Sequence, residues 1–511
     1  MGIDQPEPGK QFLTHMIHKS MVCIPIPRFV IMIISFLMIT GCSSSVSPIT
    51  GSTPALTVGP TQKLLTPTQT PVKITNVVDS RGYLTTPQEL KVIAEKANQG
   101  LEPYHSAVID VLQWADMEWN YELSANETCA NSDEPIWNDN GGGTPILYAK
   151  AMAYHLTGDV HYAEEVKSIL ERIMTEVVSI SDDTNRCQLN FAWGTPELVA
   201  SADLIEAYWK DQTCTGPTST SYFDPEIGSG GCKFLFQNWL VKNPYYIISL
   251  SAETGVSNWG AAATNSLAYI ADYLWDRPEA LLIHRLPLVI NRHGFVTYSP
   301  SESFAHANQL ALDRMNGYRV EYRSNNSCDV LEGKQQRGDL EPVKSQITEH
   351  GIIPEEARRE EYCNISQYNG IYQNYPQLYL GHNIQQCELM LRRGDASCFD
   401  NVEMTDIPEY RFVGPDGNPK ATHLYPGRGS IERAIKAIIV DSNTEWRHES
   451  ALDVAYRYYY VHHTLPGFEL WAAKLRNKHV SCDQDICFGG LTHIFSIREG
   501  YPSAAPTVQP P

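Results

Sequence analysis

The sequence predicts an all-α fold in which successive amphipathic helices form an array or a ring. Apolar residues recur at helical spacing in one segment after another from about residue 77 onward. Convincing runs of alternating polar and apolar residues, which would indicate strands, are few. Short turns rich in Gly, Pro and Asp separate the helical segments, as in helical hairpins.

The clearest hairpin lies between residues 144 and 173. Thr144 is the predicted N-cap of its first helix, and Pro145 suits the first helical position. Gly158 ends that helix, and Asp159 caps the next one after a very short turn. The predicted buried face of the second helix consists of Ala163, Val166, Leu170 and Ile173.

The sequence around residue 258 predicts a central helix with a polar start. Val256–Gly260 leads into an alanine-rich segment, 261–274, whose apolar residues form one stripe. Ser257 or Asn258 can cap this helix. The amide of Asn258 and the indole of Trp259 would suit binding of a sugar. The alternative is that Asn258 only caps and Trp259 only packs.

Further helices are predicted by the same periodicity along the chain. Residues 318–362 are polar and charged, and we interpret them as a long excursion from the helical array. The predicted helices begin at Thr195-Pro196-Glu197 and span Phe234–Leu240, Pro278–Ile290, Ser301–Met315, Tyr372–Leu391, Ser430–Ile439, Glu449–Tyr460 and Pro466–Leu475.

The acidic composition limits the partners. A net charge of −20 over 511 residues argues against nucleic acid. It also argues mildly against a polyanionic substrate, although a local Arg/His cluster can override the mean field within about 8–10 Å. We expect a monomer with no cofactor and no bound metal.

The N-terminus carries the pattern of a targeting segment. An apolar run from Phe29 to Ile39 follows Lys19 and Arg28 and precedes Gly41-Cys42. This pattern resembles a bacterial lipoprotein signal, with Cys42 as the lipidated residue. It predicts an exported periplasmic or cell-surface protein that only its lipid holds at the membrane. The predicted parts are a signal at 1–42, a Ser/Thr/Pro-rich tether at 43–76, one domain at 77–500 and a loose tail at 501–511.

Ten cysteines remain beyond Cys23 and Cys42, and an even number in an exported chain indicates disulfides. Connectivity does not follow from sequence, but neighbours along the chain are the simplest pairing. The predicted pairs are Cys129–Cys187, Cys214–Cys232, Cys328–Cys363, Cys387–Cys398 and Cys482–Cys487.

The helix that Asn258 opens ends near Asp276-Arg277, and this stretch resembles the asparagine-containing helix of the alginate lyase superfamily. Residues 154–163 and 370–395 resemble two other segments of the same family. The resemblance implies an incomplete (α/α) toroid of helical hairpins and cleavage of an acidic, uronate-containing polysaccharide. Trp259 stands where a histidine is common in the family.

Tyr372-Gln373-Asn374-Tyr375 resembles the family's Tyr-His-Asn-Tyr segment, with Gln373 in the place of histidine. Matching the four residues favours Tyr372 as the catalytic tyrosine. Counting back from the Gly394-Asp395 turn favours Tyr375, so both remain candidates.

A uronate lyase removes the proton next to the sugar carboxylate, and hydrogen-bond donors must stabilise the charge that develops. The resemblance implies that Asn258 neutralises that carboxylate and that Tyr372 or Tyr375 acts as acid or acid and base. A tyrosine has a pKa near 10 and needs positive charge nearby to act as a base. His306 is the predicted assisting residue, with His293 as an alternative.

The remaining candidates are cations and sugar platforms. Trp193 precedes a helix, as Trp259 does, and either indole could stack on a sugar ring or belong to the core. The predicted substrate-binding residues are Trp193, Trp259, Arg292, His293 and Gln373, and His284-Arg285 is a further source of positive charge.

Two other functions remain open from sequence. A glycoside hydrolase on the same fold would need two carboxylates across the scissile bond. A lipid-tethered protein that captures polysaccharide without cleaving it would need only the aromatic residues. The available acidic side chains are Asp139, Glu197, Asp203, Asp272 and Glu302.

Overall fold

The computed structural model describes part of the compact unit that spans Thr75–Pro511. The described residues are 80–102, 104–121, 123, 143–178, 185–221, 226–255, 257–286, 294–324, 340–347, 351, 353, 356, 374–401, 429–438, 449–462, 488–489 and 491–492. The predicted signal, tether and C-terminal tail lie outside these ranges, as does the predicted helix 466–475.

The described residues are 68% helical and 9% strand, which confirms a predominantly helical protein. The helices are α1 (Pro87–Asn98), α2 (Tyr104–Ala115), α3 (Gly143–Thr157), α4 (Val160–Glu176), α5 (Asn185–Leu204), α6 (Glu206–Trp209), α7 (Cys232–Leu240), a π-helical turn (Val241–Tyr245), α8 (Tyr246–Thr254), α9 (Asn258–Tyr273), α10 (Pro300–Met315), α11 (Asn374–Arg392), α12 (Ile431–Lys436) and α13 (Glu449–His462).

The predicted hairpin near residue 158 is confirmed. Helix α3 ends at Thr157, and Gly158 takes a left-handed conformation with φ of 76°. Asp159 then caps α4 by accepting a hydrogen bond from the backbone N–H of His161 at 3.0 Å. The turn chemistry of Gly and Asp therefore sets the path of the chain here.

Three two-stranded antiparallel ribbons accompany the helices in the described part of the chain. They are β1 (Thr213–Pro217) with β2 (Ile227–Gly231), β3 (Leu282–Leu286) with β4 (Gly294–Tyr298), and β5 (Asn316–Ser324) with β6 (Leu340–Gln346). The helix predicted for 278–290 is wrong, because β3 occupies its centre. Its partner β4 is rich in aromatic and β-branched residues, which favour strands. The periodicity of 278–290 alone does not reveal this partner. Similarly, the polar excursion contains the β5–β6 ribbon.

The predicted helix start at Thr195-Pro196 is also wrong, because Pro196 lies inside the continuous helix α5. Proline has no N–H for the carbonyl four residues earlier, which here belongs to Ala192. The hydroxyl of Ser266 on α9 donates to that carbonyl at 2.5 Å. A neighbouring helix thus replaces the missing bond, and the interior proline is tolerated.

Helix α9 forms the centre of the core. It packs against α5, α8, α10 and α11, and every residue of it except Trp259 is buried. The small side chains of Ala261, Ala262 and Ala263 let these neighbours approach closely at its start. A helix buried on all sides in this way organises the helices around it.

Two of the predicted disulfides are confirmed. Cys214–Cys232 joins β1 to the first residue of α7, and Cys387–Cys398 joins α11 to the turn that follows it. The other three predicted pairs involve side chains outside the described residues. Among the described helices, none has the length and apolar character needed to cross a membrane.

Candidate functional site

The candidate site is built on the corner between α8 and α9, described residues 252–255 and 257–260, which we call the α8–α9 corner. The carbonyl of Gly255 packs so closely on Gly260 that a Cβ atom at Gly260 would overlap it. Arg314 of α10 is fully buried beneath the corner. Its guanidinium donates to the carbonyls of Ala252 and Gly255, both at 3.1 Å, and to the Thr264 hydroxyl at 3.0 Å.

Asn258 lies at the first position of α9 and is 1% exposed. Its backbone N–H donates to the carboxylate of Glu356. Ser257 occupies the N-cap position, but its side chain forms no capping bond within the described structure. A carboxylate from a distant segment therefore takes the capping role that the sequence assigned to Ser257 or Asn258, and its charge suits the positive end of a helix.

Helices α9 and α11 run side by side in the same direction. The amide of Asn265 donates to Gln385, and further along both helices Asp272 pairs with Arg393 at 2.7 Å. Counted from the first contact, Asn258 lies seven residues back on α9 and Tyr375 lies ten residues back on α11. At 1.5 Å per residue, the two differ by about 4.5 Å along the helix axes. Asn258 and Tyr375 are therefore at the same end of this helix pair.

The aromatic side chains at this end are more accessible than the amide. Trp259 and Tyr375 are both half-buried, whereas Asn258 is buried. Tyr372 and Gln373, from the same predicted segment as Tyr375, lie outside the described residues.

His306 lies in a second group, which we call the histidine–glutamate cluster: Glu253, His284 and His306. Glu253 is in the last turn of α8, His284 on β3 and His306 on α10. The Oε1 atom of Glu253 is 3.0 Å from Nε2 of His284 and 2.5 Å from Nε2 of His306. One carboxylate oxygen thus lies between two imidazoles. Because Glu253 belongs to the α8–α9 corner, this cluster and the corner share a residue.

A shell of hydroxyl and aromatic groups holds the histidines in place. The Nδ1 atom of His284 is 3.1 Å from the Tyr245 hydroxyl, which in turn is 2.8 Å from the hydroxyl of Ser303. The ring of Tyr298 packs against both histidines, with centroids 5.2 and 5.0 Å away. The side chains of His284 and Glu253 are 0% and 6% exposed, whereas His306 is 28% exposed. Solvent therefore reaches the cluster through His306.

Other predicted binding residues lie elsewhere or are not described. Trp193 is half-buried against the core, and its indole Nε1 has no hydrogen-bond partner among the described residues. The Arg285 guanidinium lies 5.2 Å from the centre of the Tyr246 ring. Arg292 and His293 are outside the described residues.

The opposite end of α9 carries a saturated ion network. Asp272 receives two hydrogen bonds from Arg81 and two from Arg393, at 2.7 to 3.1 Å. Burial alone would raise the pKa of Asp272, but the two guanidinium groups outweigh it and lower the pKa to about 2. Asp276 bonds to Lys233 at 2.7 Å and Arg277 to Asn238 at 2.8 Å, so each finds a partner on α7.

Sequence reasoning missed Glu253, Arg314 and Glu356. Glu253 and Arg314 carry no distinctive local pattern, because their partners come from other elements. Glu356 acts on a residue 98 positions away. The position of Glu253 shortly before the predicted cap at Ser257 was the one local signal that could have drawn attention to this side chain.

No protein-family model matches the sequence, and no curated protein matches it. Function must therefore be argued from the residues of this chain.

Proposed function

We propose that this protein is a polysaccharide lyase that cleaves a uronate-containing, alginate-like polysaccharide by β-elimination. The observation that supports this most directly is the parallel register of α9 and α11. It brings Asn258 and Tyr375, which are 117 positions apart in the sequence, to one end of the helix pair.

The proposed roles follow from the donors and acceptors present. The amide of Asn258 would donate to the uronate carboxylate and so lower the energy of the charge that develops next to it. Tyr375, or Tyr372 of the same segment, would act as the acid that protonates the glycosidic oxygen as its bond to the sugar carbon breaks; as acid and base, it would first remove the proton from the carbon next to the carboxylate. His306, paired with Glu253 of the α8–α9 corner, would assist in accepting that proton. Trp259 offers a partly exposed ring for stacking on the sugar.

Two of the candidate acidic residues, Asp203 and Asp272, offer little support to the hydrolase alternative. Asp203 accepts bonds from the Ser80 hydroxyl at 2.7 Å and from the N–H groups of Arg81 and Gly82 at 2.8 and 3.0 Å. Burial raises the pKa of Asp203, but these donors occupy its carboxylate. Asp272 is likewise fully engaged by arginines. Asp203 and Asp272 therefore do not form a pair of carboxylates that could flank a glycosidic bond.

Incubation of the purified mature chain with alginate, other polyuronates and neutral glycans tests the proposal. We expect near-ultraviolet absorbance from an unsaturated uronate end to rise with a polyuronate only. New reducing ends without that absorbance would establish the hydrolase instead. Binding without new ends would establish a capture protein, and either outcome would refute the lyase.

Two substitutions assign the roles. Asn258→Ala keeps the backbone N–H that binds Glu356, so we expect a folded protein with turnover reduced at least about 100-fold. Tyr375→Phe removes one hydroxyl and should reduce kcat at least about 100-fold. Tyr208→Phe, at a half-buried tyrosine of α6, is the matched control and should keep wild-type kcat. Activity that persists in Asn258→Ala would remove Asn258 from the mechanism, and persistence in Tyr375→Phe would leave Tyr372 as the candidate.

We also propose that the chain is an exported lipoprotein attached through Cys42, since the sequence before this residue has the pattern of a lipoprotein signal. Cys42→Ser should move the protein from the membrane fraction to the soluble fraction and abolish incorporation of labelled fatty acid. Unchanged labelling would contradict the anchor.

A further inference from the structure

We infer that Glu253, His284 and His306 form a binding site for one transition-metal ion of the zinc class. The three side chains come from α8, β3 and α10, and their potential ligand atoms all lie within 4.8 Å of one another. Two imidazole nitrogens and one carboxylate oxygen form a donor set that binds zinc in proteins. The test of this inference is independent of the lyase proposal, because it measures metal affinity and not turnover.

The spacing of the donors suits a small ion. Bonds of about 2.0–2.1 Å in a tetrahedral site place neighbouring ligand atoms roughly 3.3 Å apart. The Glu253 oxygen is already 3.0 Å from one Nε2 and 2.5 Å from the other. Binding therefore requires side-chain shifts on the order of 1 Å and no change in backbone path.

The surrounding groups resemble the support that metal-binding histidines require. Such a histidine usually uses its second ring nitrogen in a hydrogen bond that fixes its orientation. His284 does this through Nδ1, which contacts the Tyr245 hydroxyl, and Tyr245 is held in turn by Ser303. Ser303 is on α10, one turn before His306, so the same helix carries both a ligand and a supporting group.

The difference in exposure indicates where a fourth ligand would bind. Two of the three side chains are almost completely buried, and His306 is the partly exposed one. Three protein ligands leave one position of a tetrahedral ion for water or substrate. In the loaded protein His306 is a ligand and cannot also accept a proton, so elimination would then depend on Asn258 and the tyrosines.

Metal titration of the chelator-treated mature chain tests this site without any activity assay. We expect one equivalent of Zn²⁺ to bind, and Co²⁺ to give the visible absorption of a tetrahedral complex without thiolate charge-transfer bands. That spectrum separates a nitrogen–oxygen site from one built on cysteines. Failure to bind a stoichiometric equivalent, or a thiolate spectrum, would overturn the inference.

Variants connect the binding to these residues. His306→Ala, at the most exposed ligand, should fold and lower affinity at least about 100-fold, and Tyr245→Phe should lower it by about 10- to 100-fold. The matched control is His161→Ala, since His161 also contacts a glutamate, Glu165, at 3.3 Å but on an exposed helix face. Unchanged affinity in His306→Ala, or an equal loss in His161→Ala, would show that the cluster is only an acid–imidazole hydrogen-bond group.

Discussion

The two ends of α9 hold charged and polar groups in opposite ways. At its C-terminal end, Asp272 is surrounded by Arg81 and Arg393, and four hydrogen bonds occupy its carboxylate. At its N-terminal end, the half-buried Trp259 and Tyr375 and the 28% exposed His306 keep access to solvent. Charged groups whose hydrogen bonds are all made within the protein serve to hold the fold together. Side chains that remain accessible to solvent can bind a ligand.

The largest expected effect is at the saturated end. Asp272→Asn leaves two partly buried guanidinium groups, at 22% and 12% exposure, without their buried carboxylate, and we expect it to lower the free energy of unfolding by about 3–5 kcal/mol. Urea unfolding followed by circular dichroism measures this. Glu176→Gln, which breaks the exposed pair with Arg172, is the control and should change stability by less than about 1 kcal/mol. A similar small change in Asp272→Asn would mean that this network does not stabilise the fold.

The next effect is a dependence of stability on pH. The pKa of Asp272 is about 2 in the folded protein and 3.8 when unperturbed, so its stabilising contribution is complete above about pH 4. It is lost as the pH falls through 2, and the shift corresponds to about 2.5 kcal/mol. The stability difference between wild type and Asp272→Asn should therefore shrink by about 2 kcal/mol between pH 5 and pH 2, because the folded carboxyl is only half protonated at pH 2. A constant difference would contradict the assignment.

A smaller effect is expected at the α8–α9 corner. Gly260→Ala would bring a Cβ atom into the carbonyl of Gly255 and force the corner apart, at a cost of about 1–3 kcal/mol. Gly231→Ala is the matched control, because the nearest atom to its new Cβ would be at 3.5 Å, an ordinary contact. Thermal unfolding compares the two. If both variants are equally stable, the corner is not tightly packed.

The sequence predicted the helical class, most helix positions and two disulfides, because these depend on local periodicity and on nearby cysteines. It failed where a distant element decided the local structure. The sequence predicts a helix start at Pro196, because it does not reveal the hydrogen bond from the Ser266 hydroxyl to the Ala192 carbonyl. The sequence predicts a helix at 278–290, because it does not reveal that β3 pairs with β4.

The candidate site divides in the same way. Asn258, Trp259 and His306 could be singled out because each stands at or near a predicted helix start. Glu253 could not, because its significance arises only when β3 and α10 bring two imidazoles to it. The sequence identifies residues at predicted helix starts. It does not identify the residues from other elements that contact them in the fold.

The network around Arg81 also constrains the order of folding. The side chain of Arg393 donates to the carbonyl of Arg81 across 312 positions of the sequence. The first described segment of the domain must therefore wait for its late partner, and its contacts are of the long-range kind that slows folding. The N-terminal part of the domain therefore completes its packing only when residue 393 is in place.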